Sequence, residues 1–471
     1  VIDGTGAPLA TGRTVVVRGR TIETVAPDGE VALAGLRRID GSGRFLIPGL
    51  VDLHAHSLAD EQYHRLCLAN GVTTIRDMGC SPECTEALRA RRAAFRDGRG
   101  PGPRLFFTGP NLDGASPFDD PGHIRVRADA ADGTVARLRS MDVDFLKVRD
   151  WLSLEEYDAV TRAARKVQLP VVGHVPAAVP ILHALESGQR SIEHDGSSLG
   201  GFLLAVSARE DELRQEVLEA MREAVEARDD AAAYEETDPA LVNRLLDSQD
   251  EGKAATLTKA LLDSGAALVP TLFVLHPALG SSDPTFDGRR LRDDPAMHYV
   301  PEELLEAWRS GEIGKPPGGD DQRTRLFGRL LELLGRFHRA GVPILAGTDA
   351  AFDEEGRWTA PGFTLHDELV LLVQLGLSPA EAVAAATSKP ARFLGVEDVG
   401  TIEDGQAADL VMLSANPLDD IRNTRTISAV VSNGEFLDRA ALDSILAESR
   451  RPRSALPHPV SRSTGPRSGS P

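Results

Sequence analysis

Cysteine is scarce in this chain of 471 residues: only Cys67, Cys80 and Cys84 occur. So few thiols argue against a disulfide framework, and a reducing, cytoplasmic compartment is compatible with the sequence. Nothing near Cys80 and Cys84 supplies the remaining ligands of a zinc site, so these residues read as buried thiols. Basic residues are also in deficit: 52 Lys and Arg face 71 Asp and Glu, a formal net charge of −19. Nucleic-acid binding draws on clustered Lys and Arg, which sets nucleic acid and anionic membrane surfaces aside as partners. No apolar run approaches the roughly 20 residues needed to cross a bilayer. The chain opens Val1-Ile2-Asp3-Gly4-Thr5-Gly6 without a methionine, so an export segment upstream stays open. No phosphate-loop lysine follows Gly4-Thr5-Gly6, and no Gly-X-Ser-X-Gly elbow joins a strand to a helix. Nucleotide binding and serine-nucleophile chemistry therefore lack support.

What is present suits a globular protein with a large core: 41% hydrophobic and 26% charged residues. The length suggests two or three domains, or one barrel with an appendage. Residues 1–47 have the β-rich, turn-punctuated texture of a small sheet, and residues 395–446 return to it. Between them, apolar runs at 50–53, 73–76, 104–108, 145–148, 171–175, 191–193, 267–271 and 343–346 alternate with amphipathic stretches. That alternation is the signature of βα units and a parallel sheet, and eight runs suit a closed barrel. Ser153-Leu154-Glu155-Glu156 is a capping box ahead of a helix over 157–167, and Ser378-Pro379-Ala380-Glu381 repeats the device. A helical insertion at about 200–260 holds fifteen acidic and six basic residues between positions 209 and 253, and reads as a solvated face or as a lid. Residues 447–471, rich in Pro, Ser and Arg, are expected to be a disordered tail. The fold class expected is α/β: a (β/α)8 TIM-type barrel over 48–394 with a small composite β-sandwich from both ends of the chain.

The segment Leu50-Val51-Asp52-Leu53-His54-Ala55-His56 carries the strongest chemical signal. In a strand, residues two apart share a face, so His54 and His56 converge where the strand leaves the core. Neutral imidazoles so placed suit a metal ion. Four more polar residues sit at or just past the ends of later runs: Lys147, His174, His194 and Asp349. Parallel barrels gather functional groups at the C-terminal ends of their strands, so these six can meet at one face. An ammonium inside Phe145-Leu146-Lys147-Val148 would be costly to bury, whereas a neutral amine can react with carbon dioxide to give a carbamate, an anionic oxygen ligand. The plainer alternative pairs Lys147 with a nearby acid and leaves room for a single metal. Tyr157, inside the capped helix, reads as packing.

Together these residues resemble the amidohydrolase superfamily of metal-dependent hydrolases. The resemblance runs through Pro48-Gly49-Leu50-Val51-Asp52-Leu53-His54-Ala55-His56, Asn70-Gly71-Val72-Thr73-Thr74, the lysine and histidine strands, Gly347-Thr348-Asp349 and Gly405-Gln406-Ala407-Ala408-Asp409-Leu410. Pro270-Thr271-Leu272, His366-Asp367-Glu368-Leu369 and Ala386-Thr387-Ser388-Lys389-Pro390-Ala391-Arg392 look most like imidazolonepropionase-related proteins and metal-dependent prolidases. The resemblance implies two divalent ions, zinc first. His54, His56 and Asp349 would hold one ion, His174 and His194 the other, and carbamylated Lys147 would bridge them. Asp349 would also be the catalytic acid/base. His123 matches a substrate-loop position, although the tight glycine-rich loop of those relatives is missing. Arg149 could clamp a substrate carboxylate or simply pair with Asp150. The expected activity is hydrolysis of an amide-type bond in a small molecule, a dipeptide of the X-Pro kind or an N-acyl amino acid, by a metal-activated hydroxide. A cyclic amide such as an imidazolone-like ring and a non-catalytic scaffold are the alternatives, and homo-oligomerisation stays open.

Overall fold

The computed structural model describes residues 1–450 except 33, 118–119, 197–200, 228–238, 281–283, 311–319 and 353–357. Of the tail expected to be disordered over 447–471, residues 447–449 instead end the helix Arg439–Ser449, and the part beyond 450 lies outside the described residues.

Strands from the two ends of the chain pair with one another. β1 (Arg13–Arg18) and β2 (Thr21–Pro27) form an antiparallel hairpin. β3 (Phe45–Pro48) joins a four-stranded antiparallel sheet completed late in the chain, where it lies beside Leu410–Leu413 and pairs Pro48 with Leu410 and Phe45 with Leu413. Ile22 packs with Ile402, Ala408 and Leu410, so burial as well as pairing joins the ends.

The central strands are parallel and short. β4 (Leu50–His56), β5 (Val72–Asp77) and β6 (Arg104–Phe107) pair in sequence. β7 (Asn111–Asp113) lies between β8 (His123–Arg125) and β9 (Leu146–Val148), and β10 (Val171–Gly173) pairs with β9. β11 (Ser191–Glu193) pairs with β12 (Ala267–Val269). β4 and β5 are buried along almost their whole length, as expected of strands covered on both faces. Single backbone hydrogen bonds link neighbouring groups: Asp144 N to Phe107 O at 2.9 Å, Arg190 N to Val171 O at 2.8 Å, and Leu53 N to Ala346 O at 3.1 Å. The sheets nevertheless remain separate and do not close into one. Seven of the eight apolar runs contain strands. The eighth, 343–346, makes only one bridge, Ile344 to Leu268, and begins with Pro343, which has no N–H to give a ladder. β13 (Thr285–Phe286) and β14 (Arg289–Arg290) form a small hairpin, and β15 (Ala350–Ala351) pairs with the end of β4. β16 (Leu410–Leu413), β17 (Ile427–Ser432) and β18 (Glu435–Asp438) complete the sheet of β3.

Both capping boxes form, ahead of helices Leu154–Val167 and Pro379–Ala385. Gln168 ends the first in a left-handed conformation, φ 56°. Tyr157 is buried and donates to Gln189 Oε1 at 2.9 Å, a packing role. The insertion is helical at Gly201–Ala205, Glu210–Ala227, Pro239–Asp247 and Glu251–Ser264. Within it Glu210 pairs with both Arg214 and Lys253, whereas Asp247 and Glu251 reach arginines of the helix Asp320–Ala340, and Val217 and Met221 pack on Ala177. One expectation is corrected: Cys80 and Cys84 are joined in a disulfide, and only Cys67 is a free, buried thiol. The turn into helix Pro82–Arg96 brings the two Cα atoms to 5.8 Å, within bridging distance, and both residues are buried. No helix among the described residues is long and apolar enough to cross a membrane.

Candidate metal centre

Four strands, β4, β9, β10 and β11, and the turn after 343–346 deliver the polar residues singled out from the sequence. The register of β4 against β5 shifts between Asp52 and Ala55, so His54 lies within that shift and His56 just after it. Asp349 is left-handed, φ 56°, with its N–H on His54 O at 2.7 Å, so the turn after 343–346 is tied directly to β4. As a result Asp349 Oδ1 stands 3.1 Å from both His54 Nε2 and His56 Nε2. Lys147 on β9 is fully buried, with Nζ 3.4 Å from His54 Nε2. The His194 ring lies 4.7 Å from that of His54 and 4.9 Å from that of His174. His54, His194 and Asp349 can offer ligand atoms that all lie within 4.8 Å of one another. The structure thus draws the histidines, the lysine and the aspartate into one connected cluster.

The cluster is electrostatically suited to a cation. Burial pushes His194 well below the ordinary imidazole value, despite Asp349, and its neighbours His54 and His174 add to the effect. Burial likewise lowers His174. Burial opposes charge on Asp349 too, but His194 and His54 outweigh it and hold the carboxyl well below the usual carboxylate range. Neutral imidazoles beside an ionised carboxylate are the forms that ligate metals. His174 supplies the sharpest fit: Nδ1 is bonded to Asp150 Oδ2 at 2.9 Å, while Nε2 is buried with no hydrogen-bond partner. Mixed imidazole and carboxylate donors suit zinc and other first-row ions.

Several contributors were not picked out from the sequence. Glu193 accepts from His54 Nδ1 at 2.9 Å and from Arg76 Nη2 at 2.9 Å, with both carboxylate and guanidinium fully buried. Burial would raise its pKa, but Arg76 and His54 dominate and hold it near about 2. Asp52 accepts from the N–H of His54 and of Thr348 and from Thr348 Oγ1. Thr271 Oγ1 lies 2.6 Å from His194 Nδ1. The available signals were positional: Asp52 is two residues before His54, and Glu193 immediately precedes His194.

His123 and Arg149 sit to one side. His123 Nδ1 is 3.7 Å from buried Asp113, and His123 Nε2 is 3.7 Å from Asp120. Arg149 Nε is 4.0 Å from Asp150 Oδ2, the carboxylate that holds His174. Arg149 meets the cluster electrostatically at His174, whose protonation it disfavours.

Residues 330–437 match the model of the Amidohydrolase family. Ochratoxinase of Aspergillus niger is 25% identical over 449 residues, spanning 90% of this chain and 81% of the relative. Among solved structures, bottromycin amidohydrolase superposes with a TM-score of 0.70 at 22% identity, covering 95% of this chain and 88% of its own. The chain belongs to the amidohydrolase superfamily. A Xaa-Pro dipeptidase with bound methionine in its active site superposes on this amidohydrolase with a TM-score of 0.62 at 19% identity, covering 93% and 97% of the two chains. The α/β architecture is shared across these neighbours, and the protein is an enzyme acting on amide-type carbon–nitrogen bonds.

Proposed function

We propose that this amidohydrolase cleaves the amide bond of a small N-acyl amino acid or X-Pro-like dipeptide at the cluster described above. One observation carries the reading: Asp349 Oδ1 is equidistant, at 3.1 Å, from His54 Nε2 and His56 Nε2, with His194 within ligand reach. The substrate class draws support from relatives named ochratoxinase, Xaa-Pro dipeptidase and bottromycin amidohydrolase. In this reading His54, His56 and Asp349 hold one divalent ion, zinc in the first instance, and His174 and His194 a second. Lys147, fully buried where an ammonium is costly, would as a neutral amine take up carbon dioxide and supply a carbamate oxygen as a further ligand. Bound divalent ions lower the pKa of water and polarise a carbonyl. Asp349 takes the proton of the attacking water as the new C–O bond forms, and returns it to the nitrogen as the C–N bond breaks. Arg149 and His123, on the side of His174, receive the polar end of the substrate. The reading also takes the eight apolar runs as the staves of a (β/α)8 barrel over 48–394, with 1–47 and 395–446 as a composite β-sandwich.

The test is metal analysis of the purified chain, followed by hydrolysis of a panel of N-acyl amino acids, X-Pro dipeptides and cyclic ureas after loading with zinc and bicarbonate. The expected outcome is at least one tightly held divalent ion and turnover confined to the linear amides. Protein that holds much less than one ion per chain and gains no activity on loading overturns the proposal. Turnover of the cyclic ureas alone would move the substrate class to ring amides.

A further inference from the structure

The His366-Asp367-Glu368-Leu369 motif has no part in the chemistry above, yet it holds a fully buried carboxylate in the helix Phe363–Leu375. Glu368 Oε1 accepts the N–H of Leu272 at 2.9 Å, and Oε2 accepts that of Phe273 at 2.9 Å. Those N–H groups open the short helix Leu272–Leu275, whose own N-cap, Thr271, makes no side-chain capping bond. The first N–H groups of a helix have no partner within it, so a distant carboxylate fills the need here. Thr271 itself is left-handed, φ 44° and ψ 51°, a conformation that β-branched residues avoid. The hydroxyl freed from capping reaches His194 Nδ1 at 2.6 Å. His194 is also left-handed, φ 57°, and its N–H donates to Val269 O at 2.9 Å. The two left-handed residues are thus joined by one side-chain contact, while the His194 N–H ties its own turn to the end of β12 at Val269.

We propose that Glu368 is a positioning residue: by holding the Leu272 and Phe273 N–H groups it fixes the Thr271 turn, and through Thr271 Oγ1 it sets the orientation and tautomer of His194. With Nδ1–H given to Oγ1, Nε2 keeps its lone pair and is the nitrogen left for the cluster. Gln at 368 can accept only one of the two N–H groups and presents an NH2 to the other, so the turn loses one anchor. Thr271 is then free to leave the left-handed region, taking Oγ1 with it. The metal consequence rests on the reading of the cluster as a metal centre; the tautomer consequence does not.

The experiment compares wild type with Glu368→Gln, Thr271→Val, Thr271→Ser and the double variant Glu368→Gln/Thr271→Val. Two readouts are taken on the full chain: the 15N imidazole shifts of His194 in metal-free protein, and zinc affinity by chelator competition. Both Glu368→Gln and Thr271→Val are expected to change the His194 tautomer signal and to weaken zinc about 10–100-fold, the range for residues that orient ligands. Thr271→Ser, which keeps the hydroxyl, should stay close to wild type. The double variant should be no worse than the more damaging single change, because both act along one path. A wild-type His194 signal in Glu368→Gln, or multiplying losses in the double variant, overturns the inference. If Glu368→Gln fails to fold, Glu368→Asp, one methylene too short to reach both N–H groups, is read the same way. Wild type that binds no zinc would sink the metal reading alone, since the His194 signals still decide the role of Glu368.

Discussion

Glu193→Gln puts the electrostatics beneath the cluster to a direct test. Glu193 receives Arg76 Nη2 on both oxygens, at 2.9 and 3.1 Å, His54 Nδ1 at 2.9 Å, and the Ser191 hydroxyl. Arg76 is fully buried, its guanidinium lying 5.6 Å from the Phe145 ring and 5.2 Å from that of Phe393, so water cannot replace a lost partner. Glutamine keeps one acceptor and turns the other into a donor. If its oxygen stays with Arg76, the NH2 faces His54 Nδ1 and favours the tautomer with the proton on Nε2, the nitrogen beside Asp349. If its oxygen turns to His54, the NH2 meets the guanidinium. The first arrangement costs metal affinity, about 10–100-fold for a lost orienting partner. Either one leaves a buried cation without its counter-charge, for which broken buried pairs give about 3–5 kcal/mol. Urea unfolding of the metal-free protein measures the stability loss, and chelator competition measures the affinity. A variant that matches wild type in both would refute the idea that Glu193 holds His54 in its ligating form.

Lys147→Ala should abolish nearly all amide hydrolysis and remove any dependence of metal uptake on bicarbonate, with far-UV circular dichroism unchanged; undiminished turnover would count decisively against the carbamate. Asp349→Asn should keep at least one ion yet lower kcat about 10²–10⁴-fold, the usual scale for a lost acid/base, with much less effect on the Kd of a product-like inhibitor. Equal losses in both quantities would point to a collapsed site instead. His64 offers a test away from the cluster: it is fully buried, neither ring nitrogen has a hydrogen-bond partner, and burial pushes its pKa down to about 3. Its folded value lies below the unfolded one, so the unfolded chain binds the extra proton. Stability present above about pH 6.5 is then lost as pH falls toward 3, at up to about 1.4 kcal/mol per pH unit. His64→Leu should make the urea midpoint less steep in pH between 4 and 6, and an unchanged slope would remove His64 from the acid response.

How far the sequence could be read depended on whether a residue acts by its own position or through a partner. His54 and His56 were legible because strand period alone puts them on one face, and His174, His194 and Asp349 because each follows an apolar run. The capping boxes at Ser153 and Ser378 were legible for the same local reason. Glu193 and Thr271 were not: their roles depend on meeting His54 across 139 residues and His194 across 77. The Cys80–Cys84 bridge was missed because scarcity of cysteine says little about two thiols four residues apart, which a single turn can bring together.

The acids overlooked in the sequence share a physical task that differs from ligation. Asp52 accepts the N–H groups of His54 and Thr348, Asp77 those of Ser57 and Gly79, Asp113 those of Gly114 and Trp151, and Glu368 those of Leu272 and Phe273. Each is buried, and each pins backbone where a strand gives way to a turn. Burial, with neighbouring carboxylates and against the hydrogen bonds they accept, pushes Asp52 and Asp113 up to about 7 and Glu368 to about 8, so these positions are electrostatically unfavourable for a carboxylate and are tolerated for what they hold. What they hold adjoins residues whose backbone is itself strained: Thr271, before Leu272, sits at φ 44°, and Asp349, after Thr348, at φ 56°. Such conformations cost of order 1–3 kcal/mol each and persist only where the surroundings over-determine them. A search for metal ligands passes over these carboxylates because they touch amides rather than the ion. Isosteric amide replacements there should damage the geometry of the site while leaving every ligand in the chain.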